Sequence, residues 1–241
     1  MAIQVAEGIV LANHRLEQGV SLIQISGSYA ASPGQFYMLR SWERNPLLSR
    51  PLSVFDLDEE KISFVYALRG QGTTKLSRLR PGERVSLTGP LGNGWEVPSG
   101  RVALVGGGVG LAALFLAAKR YKQTDVYLGF TDKPYLVDAF SAVAQVHVAS
   151  ETGNGGHKGL VLDILNMEGY TACYACGPEA MLSSLRNPCQ EKGVPLYVSL
   201  ETRMACGIGA CLGCTIETTR GYLRVCRDGP VFNADEVKFD V

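Results

Sequence analysis

The sequence predicts a multidomain protein of mixed α/β and all-β class: an antiparallel β-barrel domain, a parallel-sheet α/β domain and a small C-terminal cysteine-bearing module. Three observations carry that expectation. Residues 1–97 alternate short apolar runs with glycine and proline turns. Past residue 98 the pattern changes to a buried strand, a glycine-rich turn and an alanine-rich helix, RVALVGGGVGLAALFLAAKRY, followed by further strands and helices. Four of the seven cysteines then gather between positions 206 and 226. The expected units are therefore 1–97, 98–200 and 201–241.

In the first unit the strand segments are IQVAEGIVLANHRL, GVSLIQISG, GQFYMLRSW, LLSRPLSVFDLD, KISFVYALRG and ERVSLTGPLG. Turns at Pro33-Gly34, Pro81-Gly82, Gly89-Pro90 and Gly92 separate them at the spacing of a small barrel or sandwich. Leu76 and Leu79, three residues apart, mark one short helix over 73–80. In the second unit VYLGF, QVHVA, ACYACG and PLYVS supply more strands, and helices are expected at 110–121, 135–142, 160–166 and 178–192.

Lys plus Arg and Asp plus Glu total 23 each, so no broad field draws the chain to nucleic acid or to an anionic membrane. No apolar run approaches the roughly 18 residues of a membrane span, and the first residues lack the basic-then-apolar pattern of a secretion signal. An odd cysteine count, with four claimed by one site, argues against a disulfide framework and for a reducing cytoplasm.

Cys206, Cys211, Cys214 and Cys226 are spaced C-x4-C-x2-C-x11-C. That is the plant-type pattern for a [2Fe-2S] cluster, in which one tight loop supplies three thiolates and a fourth stands apart. Gly207, Gly209 and Gly213 lie between the ligands, where a backbone wrapping an inorganic core needs positive φ and no Cβ. Four thiolates also suit tetrahedral zinc, but zinc sites usually arrange their ligands as two separated knuckles.

Gly106, Gly107, Gly108, Val109 and Gly110 follow a strand and open a helix, an arrangement that lets a pyrophosphate approach backbone N–H groups; a tight turn without a ligand is the alternative. Asp132, just after VYLGF, can accept from a ribose 2′-hydroxyl and repel a 2′-phosphate, or stand as a solvated loop acid. Arg50, Pro51, Leu52 and Ser53 combine a phosphate-binding charge, a rigid φ and a hydroxyl. Val65, Tyr66 and Ala67, then Gly72 and Thr73, offer an apolar aromatic face followed by backbone and hydroxyl donors. Cys173 and Cys176 have C-x2-C spacing, yet on a strand positions i and i+3 face apart, so Cys173 is read as core and Cys176, Gly177 and Pro178 as a strand end leading into a helix. His14, His147 and His157 are isolated, and no catalytic constellation is found.

RPLS, YALRGQGT, GGGVG and CGPEAM, in that order, resemble the ferredoxin-NADP reductase superfamily. CGIGACLGC followed by VCRDGPVF resembles, within it, the electron-transfer subunits of class 1B dihydroorotate dehydrogenases. The resemblance spans nearly the whole chain and implies FAD in the barrel, NAD at the second domain, and the cluster facing a separate FMN-containing catalytic subunit in a heterotetramer of two copies of each. It places FAD contacts on Arg50, Pro51, Leu52, Ser53, Val65, Tyr66, Ala67, Gly72 and Thr73, while the NAD contacts expected in the second domain are the Gly106–Gly110 turn, Asp132 and Cys176, Gly177 and Pro178. The sequence departs from the superfamily twice: Leu52 stands where an aromatic residue often stacks on the flavin, and Ala67 where an arginine is common, with Arg69 two residues later.

The activity so implied is electron transfer from the partner's FMN through the cluster and FAD to NAD⁺, in pyrimidine biosynthesis, with no dihydroorotate site on this chain. The same cofactor set serving a hydrogenase or a ferredoxin-NAD(P) oxidoreductase complex, and a zinc-stabilised nucleotide-binding regulator, are the alternatives.

Overall fold

The computed structural model describes residues 3–239. Positions 1–2 and 240–241, the outer ends of the first and last expected units, lie outside the described residues.

Six strands, β1 (Gln4–Glu17), β2 (Val20–Ser26), β3 (Phe36–Arg40), β4 (Arg50–Leu57), β5 (Lys61–Ala67) and β6 (Arg84–Leu91), close into an antiparallel barrel in the order β1-β2-β5-β4-β3-β6. Closure decides between barrel and sandwich: β1 is long and irregular enough, with register shifts near Val10 and Arg15, to pair with both β2 and β6. Alternate residues of β2 point inward, so Ile23 and Ile25 are fully buried beside Tyr37, Phe64 and Leu87. Helix α1 (Gln71–Ser77) begins two residues earlier than the leucine spacing indicates, because Thr73 Oγ1 accepts from the N–H groups of Arg69 and Gly70 and starts the turn there. Its last carbonyls, on Leu76 and beyond it Leu79, accept from Asn13 Nδ2 at 2.9 and 3.0 Å.

The second unit holds β7 (Val102–Gly107), α2 (Phe115–Arg120), β8 (Thr124–Phe130), α3 (Val137–Ser141), β9 (Gln145–Ser150), β10 (His157–Lys158), β11 (Ala172–Cys176), α4 (Glu179–Ser184), α5 (Arg186–Glu191) and β12 (Leu196–Ser199). These strands form a parallel sheet in the order β10-β9-β8-β7-β11-β12. The strand order reverses between β7 and β11, and open α/β sheets bind ligands in the crevice at that point, outside the strands' carboxyl ends.

The helices are shorter than the periodicity indicates. The expected helix at 110–121 divides into a 3₁₀ stretch, Gly108–Ala113, and α2. Trp95 Nε1 donates to Ala113 O at 2.9 Å, taking a carbonyl that a continuous α-helix would have used. The expected 178–192 helix breaks at Leu185 into α4 and α5, because Pro188 has no N–H and its ring would strike the carbonyl four residues back. The 135–142 helix keeps only α3, whose preceding residue Leu136 has φ 62°, and 160–166 keeps only a 3₁₀ turn at Val161–Ile164.

The last unit contains β13 (Thr215–Thr218), β14 (Gly221–Arg224), α6 (Val225–Asp228) and β15 (Val231–Asn233). The first two make a hairpin, whereas β15 returns to pair antiparallel with β12 and becomes the seventh strand of the central sheet. The units are held together by apolar contacts: Phe55 of β4 stacks on Phe115 of α2 at 4.3 Å, and Gly207 presses on Met38 of β3. Lys119 and Arg120 of α2 reach Asp56 and the Ala31 carbonyl at 2.8 and 2.7 Å.

Candidate functional site

Two cavities adjoin at the seam between the barrel and the sheet, and the cysteine loop follows a few residues after the segment that walls the first. The first cavity, about 200 Å³, is lined by Arg50, Pro51, Leu52 and Ser53 of β4, by Val65, Tyr66 and Ala67 of β5, and by Thr73. Every one of these was singled out in the sequence. Its other walls come from Phe36, Arg69, Val109, Ala112, the segment Ser199–Thr202, Met204 and Pro230, so it lies between the barrel, the sheet and the cysteine module.

Gly72, the remaining member of the barrel set, acts by having no side chain: a Cβ there would stand 2.4 Å from Arg50 Nε. The Arg50 guanidinium rests in that space, stacks 5.6 Å above Trp42, and donates to the carbonyls of Leu48 and Ser49 at 2.6 and 3.2 Å. Thr73 Oγ1 is engaged within α1 and also donates to Gly70 O. The Tyr66 ring is packed into the barrel core, 2% exposed, with its hydroxyl on Asn13 Oδ1 at 3.4 Å and its pKa raised by burial. Tyr66 thus serves the core and the cavity wall at once, and Phe36, equally buried, is a second aromatic in that wall that sequence reasoning missed. At about 200 Å³ the cavity is below the roughly 300 Å³ usual for a whole ligand, so it fits the planar head of a larger molecule whose remainder extends past Arg50.

The second cavity, about 660 Å³, opens at the reversal point of the sheet. Gly107, Gly108, Val109 and Gly110 line it together with Gly177 and Pro178, so the two glycine-bearing turns after β7 and β11 face one another. The packing requires glycine at both contacts: a Cβ on Gly110 would stand 2.3 Å from Cys176 O, and one on Gly107 2.7 Å from Pro178 Cδ. Gly106 remains inside β7, and the Cys176 side chain is buried, contacts Ser199 and has its thiol pushed up by burial and by Glu201. Cys173 lies on the opposite face of the sheet, as its strand spacing predicts.

Asp132 does not border this cavity. Its Oδ1 accepts from Thr152 Oγ1 at 2.8 Å and Asn154 Nδ2 at 2.6 Å, bonds that lower its pKa and tie the loop after β8 to the loop after β9. Two acids line the cavity, Glu201 at the seam with the first and Glu151, which stands with Phe130, Thr131 and Leu160 in the wall near the loops after β8 and β9. Arg69, Val109 and Glu201 line both cavities and mark the seam between them. The Glu201 side chain reaches solvent at the seam, yet crowding around its carboxyl raises its pKa, an effect opposed by the charge of Arg69. Arg69 therefore stands near both sites even though it falls two residues beyond the position where the superfamily carries its arginine.

The four cysteines gather as two pairs. The thiols of Cys206 and Cys211 are in hydrogen-bond contact, as are those of Cys214 and Cys226. Backbone N–H groups point at the sulfurs: Gly209 N to Cys226 Sγ at 3.1 Å, Cys211 N to Cys206 Sγ at 3.4 Å, and Cys226 N to Cys214 Sγ at 3.4 Å. Burial resists ionisation of Cys206, but N–H groups of Ile208, Cys211 and Ala210 outweigh it and bring the thiol down to about 6. Cys226 is pushed up to about 12 by burial and by the Cys214 thiol. Two thiol pairs ringed by N–H donors fit a two-iron cluster, whose binding would deprotonate all four.

Gly207 and Gly209 have φ of 72° and 82°, as a wrapped loop requires. Gly213 does not; the third left-handed position is Leu212, φ 61°, which is 62% exposed. His147 stacks on Tyr127 at 4.6 Å, and His157 approaches Asp163 at 3.9 Å, so neither serves these sites.

Residues 201–238 match the family model described as the iron-sulfur cluster binding domain of dihydroorotate dehydrogenase B. The chain is 45% identical to the dihydroorotate dehydrogenase B (NAD(+)) electron transfer subunit of Clostridium acetobutylicum, over 95% of each chain. It is 40% identical to the same subunit of Clostridium perfringens, over 99% of this chain and 100% of that one. Among solved structures it is similar to a chain of an NADH-dependent reduced ferredoxin-NADP oxidoreductase, with TM-score 0.89 and 33% identity over 98% of this chain and 91% of that one.

Proposed function

The chain belongs to the family of electron transfer subunits of NAD(+)-dependent dihydroorotate dehydrogenase B, and from that premise we propose how its two cavities and its cysteine loop divide the work. It is the NAD-linked subunit of an oxidoreductase complex, taking electrons from an FMN-containing dihydroorotate dehydrogenase subunit and delivering them to NAD⁺ in pyrimidine biosynthesis. FAD occupies the first cavity, NAD the second, and a [2Fe-2S] cluster the loop of Cys206, Cys211, Cys214 and Cys226. When bound, the nicotinamide exchanges electrons in pairs, the cluster singly, and the flavin in either manner.

One observation carries this reading: the two cavities share walls, and one of those walls runs on along the chain into the cysteine loop. Arg69, Val109 and Glu201 border both cavities, and the segment from Ser199 to Met204 that walls the first leads directly to Cys206. Arg50 holds a phosphate beside the ring cavity, with Gly72 leaving room for its guanidinium. Phe36, Leu52 and Val65 exclude water from the ring, and Ser53 supplies a hydroxyl at its edge. The facing turns at Gly107–Gly110 and Gly177–Pro178 set backbone against the dinucleotide, and N–H groups of Gly209, Cys211 and Cys226 hold negative charge on the thiolates. The dihydroorotate chemistry is assigned to the partner, in a cytoplasmic assembly of two copies of each subunit.

The similarity to the ferredoxin-NADP oxidoreductase chain favours a second reading, the same module in a ferredoxin-linked complex, but identity is higher and equally complete to the dihydroorotate dehydrogenase subunits. Protein purified without air should contain FAD, two irons and two labile sulfides, and reduce dyes with NADH. Orotate should form only with the FMN subunit added. Cys211→Ser should abolish the cluster absorption and leave the flavin. Stoichiometric zinc in place of iron, or orotate formed by the chain alone, would refute the reading.

A further inference from the structure

Three side-chain polar atoms among the described residues are buried and make no hydrogen bond: Ser41 Oγ, Arg186 Nε and Thr202 Oγ1. Leaving such an atom unpaired is costly, on the order of 1–3 kcal/mol, so each invites the question of what completes it. Ser41 borders neither cavity, and the Arg186 guanidinium is already committed through its other nitrogen to the carbonyls of Ala234 and Val237. Of the three, Thr202 alone stands in the wall of the first cavity, which it shares with Glu201 and Met204 of its own segment and with Ser53 and Tyr66 of the barrel strands.

We propose that Thr202 is a positioning residue for the flavin, its hydroxyl completing its hydrogen bonding on the polar edge of the isoalloxazine. This rests on the assignment of FAD to the first cavity. Thr202 is half-buried and its Oγ1 is turned away from the open cavity, so the hydroxyl reaches the ring after one step of about 120° about χ1, which exchanges Oγ1 with the methyl that shares its Cβ. A hydroxyl both donates and accepts, so it can pair with a ring nitrogen or carbonyl oxygen and follow that edge as it gains or loses a proton. Location adds a second role. Thr202 lies four residues before Cys206, on the strap that leaves β12 at Ser199 and becomes the cluster loop, so a bond from Thr202 to the flavin fixes the cluster-bearing segment against the ring.

The pairing predicts opposite effects on the empty and the loaded protein. Thr202→Val keeps the shape and removes the unpaired hydroxyl. The flavin-free protein, cluster intact, should therefore melt at the same temperature or higher, while its affinity for FAD falls about tenfold. Thr202→Ser should restore that affinity to within about threefold, and the flavin midpoint potential should shift in Thr202→Val and return in Thr202→Ser. Unchanged FAD affinity and potential in Thr202→Val would overturn the proposal. So would a lower melting temperature of its flavin-free form, which would show that the hydroxyl is paired within the protein. Arg50→Ala separates this from the underlying assignment: if it too leaves FAD binding intact, the first cavity is not the flavin site, whereas if it alone weakens binding, the cavity stands and only Thr202's role fails.

Discussion

Gly72 and Arg50 are packed so closely that a single added carbon on the glycine would stand 2.4 Å from the guanidinium Nε. The glycine sits in the first turn of α1 and the arginine at the start of β4, so the contact sets the charge of Arg50 beside the ring cavity. Gly72→Ala should turn Arg50 out of place and weaken FAD binding about ten- to a hundredfold, the range of one charge-assisted hydrogen bond. Fluorescence titration of FAD into the flavin-free variant checks this, with unchanged iron content as the control for folding.

Coenzyme choice should follow Glu151 and not Asp132. Glu151 faces the second cavity, where its charge opposes a 2′-phosphate, whereas Asp132 is spent on Thr152 and Asn154. Glu151→Arg should shift the NADH-to-NADPH ratio of kcat/KM for flavin reduction by about tenfold or more towards NADPH. Asp132→Asn should leave that ratio within about twofold and instead lower the melting temperature, since it weakens only two loop hydrogen bonds. A ratio that moves with Asp132 and not with Glu151 would reverse the assignment.

Acid should release the cluster through Asp228. Its Oδ2 accepts from Arg224 N at 2.7 Å and Nε at 3.2 Å, and Arg224 Nη1 donates to Gly209 O, whose N–H points at Cys226 Sγ. The Arg224 N–H, with help from its side chain and against some burial, holds the Asp228 carboxyl below its ordinary 3.8. A depressed folded-state pKa means the stabilisation is complete above about 3.8 and is lost as pH falls through the lower folded value. Asp228→Asn should therefore bleach faster than wild type at neutral pH, and the difference should narrow towards pH 3, measured as visible absorption against time without air.

Leu212 should matter to the complex more than to the chain. A branched residue at φ 61° pays about 1 kcal/mol for its conformation, and this one keeps its side chain 62% exposed on the cluster loop, near the similarly exposed Ile208. Leu212→Glu should leave NADH-dependent dye reduction intact and reduce orotate production with the FMN subunit by about tenfold or more. Leu212→Gly should raise the melting temperature of the isolated chain while also weakening the coupled activity. If both activities fall together, or neither changes, Leu212 packs within the chain and the partner docks elsewhere.

What the sequence determined alone was whatever depends on neighbours along the chain. The cysteine spacing specified a loop for two irons because three ligands within nine residues leave few other paths for the backbone. The opposed directions of Cys173 and Cys176 followed from strand pleating. Arg50–Ser53 and Val65–Ala67 were legible for the same reason, each being one run on one strand. Only the tertiary structure decided what distant segments do to each other. Trp95 and Pro188 cut expected helices short, β15 left the cysteine module for the central sheet, and Leu212 took the strained position expected of Gly213. Asp132 and Glu151 are both plain loop acids in the sequence, and only the pairing of β8 with β9 shows which is consumed by Thr152 and Asn154 and which faces the cavity. Thr202 carries no local signal at all: its hydroxyl is notable because it is buried without a partner in the wall of a cavity that β4, β5, Pro230 and the segment after β12 build together, a property of packing that no run of residues encodes.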